Sequence, residues 1–485
     1  MSDHAAGRVE GKSLPFLLKL SYGSGQGVDS VIQAAINTFL LFYLTAVCGM
    51  SGAAAGALFL ISLVVDGLLD PFIGRLSDHW RSRWGRRLPF MVAGLSPIVV
   101  SAALLFSLPT GWNSAALFAY ALTLNLVLRL SLSLFALPHT ALTAELTSDY
   151  AERSLLSTFR SLFVVVGFAL LLVPAFSLIF DGRSGLQIRE HYPVLGLFTA
   201  GLVAMFGLVC LAGSGRALAR LPKTSGLNEA PDGGFFSELL QLFRNPSFVP
   251  MFIGAVLVLV GGGAVQALGL HAFRFFWLIP TEMMQLPLLV VPLGMLIGTI
   301  AAAVLIKFVE KRDAVIGAVV ALSAYPTCIT LLALGGVIAP GTTLSTILVI
   351  FNGVVFGAGS AVCFVCFYSM IADAVDEHDH LFGVRREALY AAALMLGSKA
   401  ATGLGAFVAG VGLQVVGFSV PAEGAPISLP MATSAGLAIL WGPVSGVIIL
   451  AALPFLFAYR INRARHVEIL RGLTLRNAAS MATTR

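Results

Sequence analysis

Twelve long apolar runs, each bounded by charged or Gly/Pro-rich segments, constrain this 485-residue chain more than any other feature. They lie near 22–47, 52–75, 88–108, 113–143, 154–180 and 194–213, then near 246–272, 284–308, 313–334, 343–373, 386–417 and 433–460. About 20 apolar residues in a helix match the hydrocarbon thickness of a bilayer. Hydrophobic residues make up 58% of the chain and charged residues 11%, with a mean hydropathy of +0.91. A water-soluble core cannot absorb that much apolar surface, so soluble enzymes, nucleic-acid binders and disordered scaffolds drop out. Backbone in hydrocarbon must satisfy its own hydrogen bonds, and no run shows the alternation of a membrane barrel strand, so the runs are expected to be α-helices.

The polar stretch 216–245 separates the runs into two sixes and reads as a linker. The expected organisation is a short N-terminus over 1–21, a six-helix bundle over 22–215, the linker 216–245, a second six-helix bundle over 246–460 and a tail over 461–485. The net charge of +6 is concentrated in alternate loops: Arg8, Lys12 and Lys19 at the start, Arg75 to Arg87 after the second run, Arg216 to Lys223 in the linker, Lys307 to Arg312 after the eighth run, and Arg460 to Arg471 at the end. Basic loops stay cytoplasmic. A multi-pass protein of the plasma (inner) membrane with both termini cytoplasmic is therefore expected. The segment Gly74-Arg75-Leu76-Ser77-Asp78 leading to Gly85-Arg86-Arg87 is echoed faintly by Ile306 to Arg312 after the eighth run. Two pseudo-symmetric halves with basic loops at matching places are the layout of the major facilitator fold.

Ionisable groups inside spans are costly, which makes each a functional candidate. Asp66 and Asp70 stand one helical turn apart on the second span and project from one face. Two such carboxylates repel unless a cation lies between them or one holds a proton. This points to a coupling-ion site, with a helix-end role for Asp70 as the alternative. Lys399 lies deep in the eleventh span and needs a carboxylate partner; it is expected to face Asp66 or Asp70 across the halves, as a coupling element or as a static ion pair. Asp29 on the first span either joins this cluster or lines a watery vestibule. Arg129, alone in the middle of the fourth span, either meets an anionic substrate group or pairs with Asp29. His139 reads as a packed histidine. In the loop after the second span, Asp78, Arg81, Arg83 and Arg86 face the acids Glu145 and Asp149 of the next cytoplasmic loop, and the expected arrangement is an ionic latch holding one access state.

These residues resemble the glycoside-pentoside-hexuronide cation symporters, the melibiose-carrier-like family of the major facilitator superfamily. The resemblance spans roughly 20–460. It rests on Asp66 with Asp70-Pro71-Phe72-Ile73-Gly74, on Asp78, and on Arg81-Ser82-Arg83-Trp84-Gly85-Arg86-Arg87. Further matches are Pro138 to Leu142, Glu145-Leu146-Thr147, Asp149-Tyr150, Glu152-Arg153, Arg160, Ala372-Asp373-Ala374-Val375-Asp376, Arg385-Arg386-Glu387 and Lys399. The resemblance implies alternating-access symport of a sugar, glycoside or sugar acid with a proton or sodium ion. It implies cation binding at Asp66 and Asp70 and coupling through Lys399; Gln26 and Arg160, with Asp29 and Arg129 from their place inside the spans, are the expected substrate contacts. Arg153, Asp373, Asp376 and Arg385 join the cytoplasmic gate. An organic-anion or lysophospholipid-like carrier of the same fold is the alternative.

Two positions depart from the family pattern. The first-helix acid of sugar-binding members falls on Gln26, and the fourth-helix Asp or Asn falls on Ala136. The second removes a sodium ligand and tilts the expectation toward a proton, while Arg129 tilts it toward an acidic sugar. The expected partners are a small-molecule substrate and the lipid bilayer, with no nucleic acid, and the expected functional unit is a monomer. No enzyme motif occurs and no cofactor is expected; any metal would be a sodium ion at Asp66 and Asp70.

Overall fold

The computed structural model describes residues 14–80, 82, 84–147, 149–182, 185–218, 235–418 and 429–483. Among them, eleven helices are long and apolar enough to cross a membrane. They are α2 (Gly52–His79), α3 (Leu88–Leu105), α4 (Ser114–Leu146), α5 (Tyr150–Pro174), α6 (His191–Leu218), α7 (Phe248–Phe275), α8 (Val291–Phe308), α9 (Lys311–Leu334), α10 (Thr343–Phe382), α11 (Glu387–Val415) and α12 (Met431–Ala458). The twelfth rod is α1 (Phe16–Ala35), which two π-helical pieces, Ile36–Leu40 and Tyr43–Val47, prolong into a continuous helix. Its polar face of Lys19, Gln26, Asp29, Gln33 and Asn37 dilutes its hydropathy.

Helix starts follow local chemistry. Asn113 Oδ1 accepts the Ala116 amide at 2.8 Å to open α4, and Asp149 Oδ1 accepts the Glu152 amide at 2.9 Å to open α5. Gly383, at φ 75°, ends α10 in the left-handed conformation that glycine adopts without penalty. The helix α10 extends nine residues past the expected end at 373, because the polar segment Asp373 to Phe382 ends the apolar run without breaking the backbone ladder. The expected linker contains a short helix, Phe235–Leu242, and the expected tail forms α13, Arg463–Thr483.

The same pairing of helices is repeated with an offset of six. In the first half α1 packs on α5 and α6, α3 on α4 and α6, and α2 on α4; in the second half α7 packs on α11 and α12, α9 on α10 and α12, and α8 on α10. The halves meet chiefly where α2 lies against α11. On the side away from the Arg86 loop this seam is backbone against backbone. A Cβ on Gly410 would lie 2.2 Å from the Gly52 carbonyl oxygen, and one on Gly52 would lie 2.2 Å from that of Gly410. Small residues at such positions let membrane helices approach closely. Near this end the imidazole of His271 on α7 meets Thr45 Oγ1 of the first rod at 2.8 Å, between the rings of Phe42 and Phe418. Gly410→Val is expected to wedge this seam and to cost about 1–3 kcal/mol, read as a lower melting temperature of the purified protein in detergent.

Candidate cation and substrate site

Midway along the rods, the two halves enclose a cavity of about 490 Å³. Every expected cation, coupling and substrate residue lines it: Asp66 and Asp70 from α2, Lys399 from α11, Gln26 and Asp29 from α1, Arg129 from α4 and Arg160 from α5. The helical geometry accounts for the convergence. Residues 26 and 29 are one turn apart on α1, as are 66 and 70 on α2.

Lys399 Nζ lies 2.7 Å from Asp66 Oδ2 and 2.5 Å from Asp70 Oδ2, so one ammonium from the second half bridges two carboxylates of the first. Both alternatives that the sequence left for its partner are realised together. Asp66 Oδ1 also accepts the Ser133 hydroxyl at 2.8 Å, while Asp70 Oδ1 is buried without a donor. Asp66 itself is only 4% exposed. A second network ties Gln26 Nε2 to Asp29 Oδ2 at 3.1 Å and Arg160 Nη2 to Gln26 Oε1 at 2.9 Å and to Thr140 Oγ1 at 3.2 Å. Asp29 thus faces the cavity. Arg129 is 3% exposed, and no ion pair among the described residues holds it to Asp29. Ala136 also lines the cavity and offers no oxygen there. His139 is packed, stacked on Tyr22 with its Nε2 2.8 Å from the Tyr22 carbonyl oxygen.

The gate candidates form two clusters on the basic-loop side, one in each half. In the first, Arg86 Nη2 lies 2.6 Å from Glu145 Oε1, Arg87 joins the same oxygen, and Arg87 Nη2 reaches Asp78 Oδ1 at 3.1 Å. In the second, Lys311 Nζ meets Asp373 at 2.6 Å, Arg385 Nη1 meets Asp376 at 2.8 Å, and His466 of α13 stands 3.2 Å from Asp376. The basic loop after α2 is thereby tied to the end of α4, and the start of α9 is tied to α10 in the corresponding way. Asp149 and Arg153 are placed otherwise than as latch partners: Asp149 caps α5, and Arg153 Nε donates to the Thr147 carbonyl at 2.8 Å. Glu152 pairs instead with Lys19 at 2.9 Å. Arg81 and Arg83 lie outside the described residues.

Several contributors escaped the sequence reading. Ser133 stands four residues after Arg129 on the same face of α4, a spacing that was available. Gln33 and Asn37 continue the face of Gln26 and Asp29 along the first rod and also line the cavity. Lys311 belongs to the faint internal echo, but nothing local marks His466 as its neighbour.

A sequence profile described as MFS/sugar transport protein matches residues 21–463, which is most of the chain. The chain belongs to this family. Within the MFS/sugar transport family its relatives include an uncharacterized symporter of Synechocystis sp., 27% identical over 96% of this chain and 98% of that one. A glucuronide carrier protein homolog of Escherichia coli is also 27% identical, over 76% of this chain and 77% of its own length. Among solved structures, the nucleoside transporter NupG superposes with a TM-score of 0.64 at 14% identity, covering 92% of this chain and 99% of that one. That likeness establishes the major facilitator fold. It is a transporter fold spanning the membrane, with symporters among its sequence relatives.

Removing the shared ammonium leaves two carboxylates facing each other. Lys399→Ala is expected to lower stability by about 3 kcal/mol in sodium-free buffer at neutral pH. Thermal melts should show recovery on acidification or on adding a small cation, since either supplies the missing positive charge.

Proposed function

We propose that the protein is a secondary active symporter that brings a sugar, glycoside or sugar acid into the cell together with a proton or sodium ion. The observation that carries this reading is Lys399 Nζ bridging Asp66 and Asp70 between the two halves. A cation bound at the two carboxylates competes with Lys399 for them. Cation loading therefore loosens a contact between halves, and the relative position of the halves becomes sensitive to whether the ion is aboard. In this reading Asp66 and Asp70 bind the ion and Lys399 couples it to the conformational change. Gln26, Asp29, Arg129 and Arg160 hold the solute.

The family description and the glucuronide carrier name of an E. coli relative support a sugar-like cargo. The loops around Arg86, Lys307 and Arg312, and the ends of the chain, are the basic ones, which supports a cytoplasmic position for both termini. With that orientation the Gly52–Gly410 end of the seam is external, and the halves are closed there. The clusters at Glu145 and at Asp373 brace the cytoplasmic ends of each half. For a neutral sugar, one cation entering an inside-negative cell contributes about 2.3 kcal/mol per 100 mV to accumulation.

Proteoliposomes with an imposed inward proton or sodium gradient test the assignment. Wild-type protein is expected to accumulate a labelled glycoside or hexuronide when one gradient is present. Asp70→Asn should fall to the level of empty vesicles, while Ser133→Ala, which removes one donor to Asp66, should retain slower uptake. Full gradient-driven uptake by Asp70→Asn would overturn the ion site.

A further inference from the structure

Arg129 differs from the other charged residues lining the cavity. Lys399 bonds one oxygen of Asp66 and one of Asp70, leaving Asp70 Oδ1 without a donor, and Gln26 engages both Asp29 and Arg160. The Nε and Nη2 atoms of Arg129 are buried and have no acceptor among the described residues. An unsatisfied guanidinium donor in a low-dielectric site is costly, more so than a neutral one. These two nitrogens form one edge of the planar guanidinium, the edge whose parallel N–H bonds match both oxygens of a single carboxylate. Arg129 lines the cavity, and neither nitrogen of that edge has an acceptor among the described residues.

The charge balance of the cavity points the same way. Its lining carries three carboxylates, Asp29, Asp66 and Asp70, and three cationic groups, Arg129, Arg160 and Lys399. These charges cancel formally. Binding one coupling cation leaves the cavity with a net positive charge. A neutral sugar leaves that charge in place; a monoanion cancels it.

Resting on the symporter reading above, we propose that the solute is a monoanionic sugar acid whose carboxylate docks on the Nε/Nη2 edge of Arg129. One cation travels with it, so that the empty and the fully loaded carrier have the same formal charge. The cation then precedes the anion energetically, because it creates the positive charge that the carboxylate neutralises. Arg129 determines specificity, and Asp66 and Asp70 remain the ion site.

The test uses a matched pair, methyl β-D-glucuronide and methyl β-D-glucoside, which differ only in carboxylate against hydroxymethyl. Uptake of each into proteoliposomes is measured under a proton or sodium gradient, with and without an inside-negative potassium diffusion potential. Glucuronide is expected to be favoured by more than about 100-fold, because a site built to pair with a group rejects the analogue lacking it. Its uptake is expected to be insensitive to the potential. Arg129→Gln should bring the ratio close to one, and Arg129→Lys, which keeps the charge but loses the planar edge, should fall between. Preference for glucoside, a ratio unchanged in Arg129→Gln, or glucuronide uptake that rises with the potential would overturn this inference while leaving sugar symport standing. Uptake of neither sugar under either gradient would remove the sugar-symport reading and this inference with it.

Discussion

The structure depends on one electrostatic constraint: two carboxylates a helical turn apart, in the middle of a membrane protein, require a positive charge between them. Asp66 and Asp70 lie on α2, and the charge that satisfies them comes from Lys399 on α11. Coulomb attraction at these distances is strong where water is scarce, and so is the cost of leaving either side unpaired. The pair could have been satisfied within the first half. Because it is satisfied from the second, neutralising the carboxylates and bringing the halves together are the same event at this level of the membrane.

The remainder of the scaffold supports that event. The glycine contact between Gly52 and Gly410 lets α2 and α11 approach to backbone distance at one end of their seam, so that Lys399 reaches the carboxylates further along the same pair of helices. At the basic-loop ends, ion pairs bind helices within each half: Arg86 and Arg87 with Glu145 in the first, Lys311 with Asp373 in the second. Each half is thereby braced as a unit, which suits motion of one half against the other. The repeated pairing of helices gives the two units matching shapes.

The cavity joins this ion-pair centre to a polar wall made by α1, α4 and α5. Gln26 holds Asp29 and Arg160 in one network on that wall. Arg129 lines the same cavity as Asp66 and Asp29.

Much of this was legible along the chain. Twelve spans, two halves, basic loops on alternate sides and the membrane setting followed from apolar run length and the distribution of Lys and Arg, because the bilayer imposes its thickness and its backbone constraint on each segment separately. The spacing of Asp66 and Asp70 placed them on one face for the same local reason. Where the chain misled, the cause was also local. The polar residues after Asp373 looked like the end of a helix, yet the backbone ladder continues through them. That Lys399 bridges both acids, that Nε and Nη2 of Arg129 have no acceptor among the described residues, and that His466 joins Asp376 were decided by tertiary structure alone. Each depends on which side chains from distant helices share one small space. Composition and periodicity determine which face a residue occupies, and only the packing of the two halves determines what that face meets.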